Sequence, residues 1–352
     1  MAQIEWENVI EKLKSDGLPI FIWGNGMMSI EVEERLKEKG IYVKGKFVNL
    51  GYCSGQQVFS LGELEKRYKK FNVVVGQGHF EKIVDISDSL CIHCIYIIAN
   101  PYQQYQGPGK QWLDHNKEKI ERACLSVDAI SKKCLWAYYH IQSDNNINHL
   151  LNQSFLIPDM FGLPELSLGD NEIYVDVGAY TGDSIDVFTK ATYGKYQHIY
   201  AFEPDPQSFG ILQRDTGTLE NIDYFQIGLG KESKKMSLAL ENTKSAYLVE
   251  SDLQEGVAHF SRQIDVKTLD EVMQNTKVSL IKISVPFLFL DILQGAEQCI
   301  RSNRPKLVVN VGAGDGTKII NTIEWIEKLE LGYRISFRND FPAPTRIFIY
   351  AY

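Results

Sequence analysis

At 352 residues the chain is longer than one ordinary core requires, so length favours two domains, and 44% hydrophobic with 23% charged residues excludes a disordered or fibrous chain. The net charge of -8 argues against a nucleic-acid partner, because phosphate binding needs a basic surface that releases counterions; a small-molecule or glycan partner fits better. Six cysteines scattered without an export signal suggest reduced thiols and a cytoplasmic setting.

The opening MAQIEWENVIEKLKSDG mixes acids with apolar residues and reads as an amphipathic helix rather than a signal peptide. From about residue 18 to 101, apolar strand runs alternate with helical stretches, the signature of a parallel sheet with helices on its faces. Strands are expected at 19–23, 42–48, 73–76 and 92–99, and the first helix at 29–39. The loop FIWGNGMMS follows the first strand with Gly24, Asn25 and Gly26, but Ser29 stands where a dinucleotide loop has its third glycine. At the end of the second strand, where such a fold places a ribose-binding acid, the chain has Asn49. A second glycine turn, Gly76-Gln77-Gly78-His79, follows the third strand. Both loops could bind a nucleotide or nucleotide-sugar, and a structural Rossmann-like domain with tight turns is the favoured reading. Cys91 and Cys94 lie in the run CIHCIYII, which reads as a core strand; with no second cysteine pair, no metal site is expected.

Residues 108–159 lack strand runs and read as helices. The expected organisation is a Rossmann-like α/β domain over 1–107, a helical connector over 108–170 and a larger α/β domain over 171–352. The apolar stretch at 278–293 is broken by Lys282 and Asp291 and is shorter than the roughly 18 to 20 residues that span a bilayer, so no membrane segment is expected.

In the last region the strand signals are IYVDVG, HIYAFEP, DYFQIGLG, SLIKIS, KLVVNV, YRISFR and IFIYAY, the last two without an obvious helix between them. Residues 236–266 add extra strands or a hairpin. VDVGAYTGDS reads as strand, glycine turn and helix start, with Gly178 and Gly182 expected to let the backbone pass close to a ligand. The next strand ends in AFEPDP, which puts Glu203 at its tip, where a carboxylate can accept hydrogen bonds from both hydroxyls of a ribose. Taken singly, Asp183 could merely cap a helix and Glu203 could pair with a basic neighbour.

These motifs resemble the FkbM family of S-adenosylmethionine-dependent methyltransferases: VDVGAYTGDS is similar to its first motif and AFEPDP to its ribose-binding motif. IDVKTLDEV, LIKIS, ILQGAEQCI and RPKLVV continue the likeness, and LSVDAISKKCLWAYYHIQSDN is similar to the helical lead-in of longer members, so it covers about residues 125–352. The resemblance implies a class I methyltransferase sheet of seven strands with the last antiparallel. It also implies S-adenosylmethionine as cofactor and O-methylation of a sugar or related metabolite hydroxyl. Asp176, Gly178, Gly182 and Asp183 are expected around its methionine end, Glu203 at the ribose, Gln226 and Ile227 at the adenine edge, and Ala179, Tyr180 and Ser284 elsewhere in the cofactor site.

Two departures follow. The family pattern Ile-Lys-Ile-Asp-Val-Glu-Gly-Ala-Glu is replaced by Ile281-Lys282-Ile283-Ser284-Val285-Pro286-Phe287-Leu288-Phe289, which removes a cluster of carboxylates. Where long members often carry Tyr-His, the chain reads Val311-Gly312-Ala313-Gly314-Asp315-Gly316. Methylating an alkyl hydroxyl calls for alignment and usually a proton acceptor. Either Phe287 and Phe289 line an acceptor pocket, with Asp291, Asp315 or His198 as base, or the fold is a catalytically silent binding module. The phenylalanines could equally be core filling.

Overall fold

The computed structural model describes residues 6–49, 58–77, 83–97, 109–151, 155–240, 246–249, 261–312, 316–343 and 345–352. They form two compact units, one of Met1–Cys124, Ala129–Leu156 and Phe341–Arg346, the other of Leu125–Asp128, Ile157–Asp340 and Ile347–Tyr352.

The first unit runs α1 (Trp6–Asp16), β1 (Ile20–Trp23), α2 (Met27–Glu38), β2 (Gly45–Val48), β3 (Val58–Ser60), α3 (Leu61–Arg67), β4 (Phe71–Val75), α4 (Val84–Ser87) and β5 (Ile92–Tyr96). Its five strands pair in parallel in the order β3-β2-β1-β4-β5. A parallel sheet is covered on both faces, which is why IFIW, and FNVVV apart from Asn72, are apolar runs with every residue buried. Alternation along β1 sends Ile20 and Ile22 toward Val9, Ile10 and Leu13 of α1 and Val32 and Leu36 of α2. Phe21 points the other way and meets Phe71 edge to face at 5.4 Å. Strand β3 was not expected: three residues at a sheet edge leave almost no periodicity to read. Helices α5 (Gly109–Ala123), α6 (Ala129–Asp144) and α7 (Asn148–Leu151) also cluster into this unit.

The second unit carries the seven strands read from the sequence. They are β6 (Ile173–Val177), β7 (His198–Phe202), β8 (Ile222–Phe225), β13 (Leu280–Ile283), β14 (Lys306–Asn310), β15 (Ile335–Asn339) and β16 (Ile347–Ala351). Their order is β15-β16-β14-β13-β6-β7-β8, with β16 antiparallel to both neighbours and the other pairings parallel. Between β6 and β8 the crossovers are α8 (Asp183–Ala191) and α9 (Pro206–Thr216). Further on come α10 (Leu269–Met273), α11 (Phe289–Gln294), α12 (Glu297–Asn303) and α13 (Gly316–Lys328). The expected insertion is a separate four-stranded sheet, β11-β10-β12-β9, from β9 (Gly228–Leu229), β10 (Lys234–Leu240), β11 (Ala246–Val249) and β12 (Ser261–Lys267). One face of the large sheet is closed by α8, where Phe188 packs on Tyr174 at 4.4 Å and on Phe161 at 5.8 Å. No helix among the described residues is long and apolar enough to cross a membrane.

Candidate cofactor site at the sheet edge

Register brings the expected residues together. Ile283 pairs with Val177, Val177 with Phe202, and Phe202 with Phe225. The residues that follow, Ser284, Gly178, Glu203 and Gln226, therefore leave four adjacent strand tips along one edge. In an open α/β sheet the carboxyl ends of the strands are where ligands bind. Hydrogen bonds lock the edge: Ser284 donates to Val177 O at 2.9 Å, Gly178 and Ala179 both donate to Phe202 O at 3.0 Å, and Glu203 donates to Phe225 O at 3.1 Å.

The bend between β6 and α8 is left-handed at Gly178 (φ +73), Tyr180 (φ 49) and Gly182 (φ +93). Its glycines are also required by the protein's own packing. A Cβ on Gly178 would stand 2.7 Å from Ser284 O, and one on Gly182 2.7 Å from Thr216 Cγ2. A side chain is thus forbidden by the neighbouring strand tip and by α9. Gly182 caps α8, and Asp183 is its exposed first residue, where the helix dipole favours a carboxylate.

Asp176 is fully buried, and both its oxygens are engaged. Lys282 Nζ donates to Oδ1 at 2.8 Å and Ser184 Oγ to Oδ2 at 2.6 Å. Lys282, 2% exposed, also donates to Gly178 O at 2.9 Å and Ser184 Oγ at 3.1 Å. A buried ammonium must have such partners. Asp176 thereby holds the bend from beneath through Lys282 and the first turn of α8. Sequence reasoning missed this ion pair, although a lysine in the middle of the apolar run SLIKIS is itself a signal that an acid lies on the adjacent strand.

Glu203 is 7% exposed. Its Oε2 accepts from Tyr180 N and its Oε1 from Asp205 N, each at 2.9 Å. Burial pushes its carboxyl up to about 7, against the lowering effect of those two N–H bonds. Two donors do not satisfy a carboxylate with about four acceptor positions, so two hydroxyl donors would complete it. The rest of the motif is structural: Asp205 caps α9, accepting from Ser208 N at 2.8 Å, and Pro206 fills its first turn. Before the tips, Phe202 and Phe225 stack at 4.7 Å. Beyond them, Gln226 is exposed and Ile227 half-buried.

The departures from the family pattern resolve largely into packing. Phe289 is fully buried at the start of α11, so it fills core and lines no acceptor pocket. Leu288 packs on Met236, Ile264 and Val266 of the four-stranded sheet. Phe287 is half-buried at φ 64, and its carbonyl accepts from Lys318 Nζ at 2.5 Å. His198 is excluded as a base: it opens β7, at the opposite end of the strand from Glu203, and contacts Asp223 at 3.0 Å. Asp291 lies half-buried in the first turn of α11. Asp315 is outside the described residues. No group of three or more His, Cys, Asp or Glu among the described residues could hold a metal ion.

In the first unit the glycine turns pack on each other. Gly24 is left-handed (φ +124), and a Cβ there would stand 2.7 Å from Gly76 O. Asn49 accepts from Trp23 Nε1 at 2.5 Å and donates to Asp85 at 3.0 Å. Ser29 Oγ donates to Gly26 O at 2.7 Å. Gly78 and His79 lie outside the described residues.

Residues 176–335 match the family described as Methyltransferase FkbM domain. The chain is similar in fold to the crystal structure of methyltransferase FkbM from Methylobacillus flagellatus KT. The TM-score is 0.65 and the identity 18%, over 98% of this chain and 93% of that one. Looser overlaps are with an rRNA methylase from Streptococcus thermophilus (13% identity, 56% and 96% of the two chains, TM-score 0.36) and a precorrin-6y C5,15-methyltransferase from Geobacter metallireducens GS-15 (14%, 54% and 84%, TM-score 0.34). No curated protein matches the chain.

Proposed function

We propose, from the match of residues 176–335 to the FkbM methyltransferase family, that the chain binds S-adenosylmethionine along the Ser284–Gly178–Glu203–Gln226 edge and methylates a hydroxyl of a sugar or related metabolite. The observation that carries the reading is the hydrogen bond from Tyr180 N to Glu203 Oε2, which sets a buried, under-coordinated carboxylate beside the glycine bend. Glu203 would take the ribose hydroxyls. Gly178, Gly182 and Asp183 would meet the methionine end, while Gln226 and Ile227 flank the adenine. Asp176 and Lys282 hold the bend in shape from below. The cofactor, when bound, supplies an electrophilic methyl on a sulfonium; the chain's task is to exclude water and align the acceptor oxygen in line with it.

The test is calorimetric titration with S-adenosylmethionine and S-adenosylhomocysteine, with product detection on a panel of glycans and nucleotide-sugars. Glu203→Ala should cost about 1.5 to 3 kcal/mol of binding, the usual value for a charged hydrogen-bond partner. No binding by the unaltered protein at millimolar ligand overturns the proposal.

One observation favours a second reading. Phe289, which stands where the family pattern carries its last acid, is committed to the core, and its neighbour Leu288 to the four-stranded sheet. Tight cofactor binding with no turnover on any acceptor would identify a silent binding module.

A further inference from the structure

Left-handed residues alternate along the bend after β6, and the middle one is a tyrosine. At Gly178 and Gly182 the missing Cβ makes that conformation easy, whereas at Tyr180 a side chain works against it. Among the described residues nine non-glycines have positive φ, and Tyr180 and Phe287 are the two that lie at the C-terminal edge of the seven-stranded sheet. The others follow helices or form the turn before β8, where a single left-handed residue is ordinary chain reversal. Tyr180 gains little from its own chain in return. Its side chain is 45% exposed, and its hydroxyl makes no hydrogen bond and its ring no aromatic contact among the described residues. Only its backbone is held, by Glu203. Strain of this kind, fixed by neighbours and not offset by burial, points to a ligand as what the ring touches.

The part of the ligand follows from the neighbours, and rests on the cofactor site proposed above. Glu203 is assigned the ribose, and Gly178, Gly182 and Asp183 the methionine chain. Sulfur is the atom that joins those two parts. Tyr180 lies between the two glycines in sequence and is hydrogen-bonded to Glu203, so it stands where the two assignments meet. We propose that Tyr180 is a specificity-determining residue whose ring reads the charge on that sulfur. An aromatic face attracts a sulfonium cation and has no such attraction for a neutral thioether. The substrate form of the cofactor is thereby held in preference to the demethylated product, which leaves more readily.

Titrating S-adenosylmethionine and S-adenosylhomocysteine separately into the full-length protein and three variants tests this. Tyr180→Leu should weaken S-adenosylmethionine about two- to fivefold, the scale of an exposed cation–π contact, and leave S-adenosylhomocysteine within twofold. Tyr180→Phe should keep the ratio of the two affinities. Tyr180→Gly should raise the Tm, because the strain is relieved, while losing the ratio as leucine does. An unchanged ratio in Tyr180→Leu overturns the proposal, as does a lower Tm in Tyr180→Gly with the ratio intact, since that marks a structural residue. If the unaltered protein binds neither ligand, the cofactor reading itself fails; if it binds both and ignores the leucine, only the role of Tyr180 does.

Discussion

Cofactor affinity should depend on pH through Glu203. With its carboxyl at about 7 in the free protein, roughly one molecule in eleven is ionised at pH 6 and ten in eleven at pH 8. Ribose hydroxyls donate, so they select the anion, and the apparent affinity scales with the ionised fraction. Binding of S-adenosylhomocysteine should weaken about tenfold from pH 8 to pH 6, or about 1.4 kcal/mol. Glu203→Gln should flatten that slope, because an amide does not titrate; any titration of the ligand's own groups appears in both proteins and cancels. The variant's overall affinity should also fall, since one amide oxygen cannot serve both Tyr180 N and Asp205 N. Stability carries the opposite sign. The folded carboxyl lies above its ordinary value of 4.5, so its contribution is intact below about 4.5 and is lost as pH rises to about 7; the loss is about 3 kcal/mol in all. Calorimetry in two buffers of different ionisation enthalpy, with chemical denaturation of both proteins, measures each part. Affinity that is level from pH 6 to 8, or an equal slope in the glutamine variant, would refute the assignment of Glu203 to the ribose.

Three further outcomes are expected. Lys282→Met strands a fully buried Asp176, so urea denaturation should show a loss of about 3 to 5 kcal/mol; Asp176→Leu combined with it should recover most of that, and a single-variant cost below about 1 kcal/mol would show that the pair is solvated. Gly178→Ala and Gly194→Ala share a φ of +73, but a Cβ meets Ser284 O in the first and open space in the second. Both should lose the roughly 1 kcal/mol of a left-handed side chain, and only Gly178→Ala should lose more, by at least about another 1 kcal/mol; equal Tm shifts would remove the crowding argument. Leu288→Ala should cost about 1 to 2 kcal/mol for a half-buried leucine, with hydrogen exchange rising in β10 and β12 and cofactor affinity unchanged.

The large sheet was legible because its central strands are buried on both faces, so that runs such as YVDV, YAF and LIKI stand out without any pairing information. Glu203 was legible for a related reason: a carboxylate immediately after a buried strand has few structural uses. What could not be read depends on which strands become neighbours. The pair Asp176–Lys282 joins residues 106 positions apart, and the clash that fixes Gly178 comes from Ser284, on the same neighbouring strand. A glycine in a motif shows that something comes close, and the fold shows which protein atoms do. The handedness of Tyr180 is likewise a property of the bend, invisible in the letters between two glycines.

The edge divides chemically. From β6 to β8 it carries the polar groups to which the proposed function assigns the cofactor, and the bend beside them is fixed by a buried ion pair that leaves little freedom. Past β13 the family pattern's acids give way to Ser284, Pro286 and Phe289; Phe289 is drawn into the core, and its neighbour Leu288 packs on the four-stranded sheet. Loss of acids there need not disturb the β6–β8 side, because the contacts that shape the bend, from Lys282, Ser184 and Phe202, involve none of the replaced side chains. On the proposed function, cofactor binding and proton acceptance are therefore separable. An acceptor suited to such an edge would be recognised by shape and apolar contact, and would depend little on a carboxylate to draw off its proton.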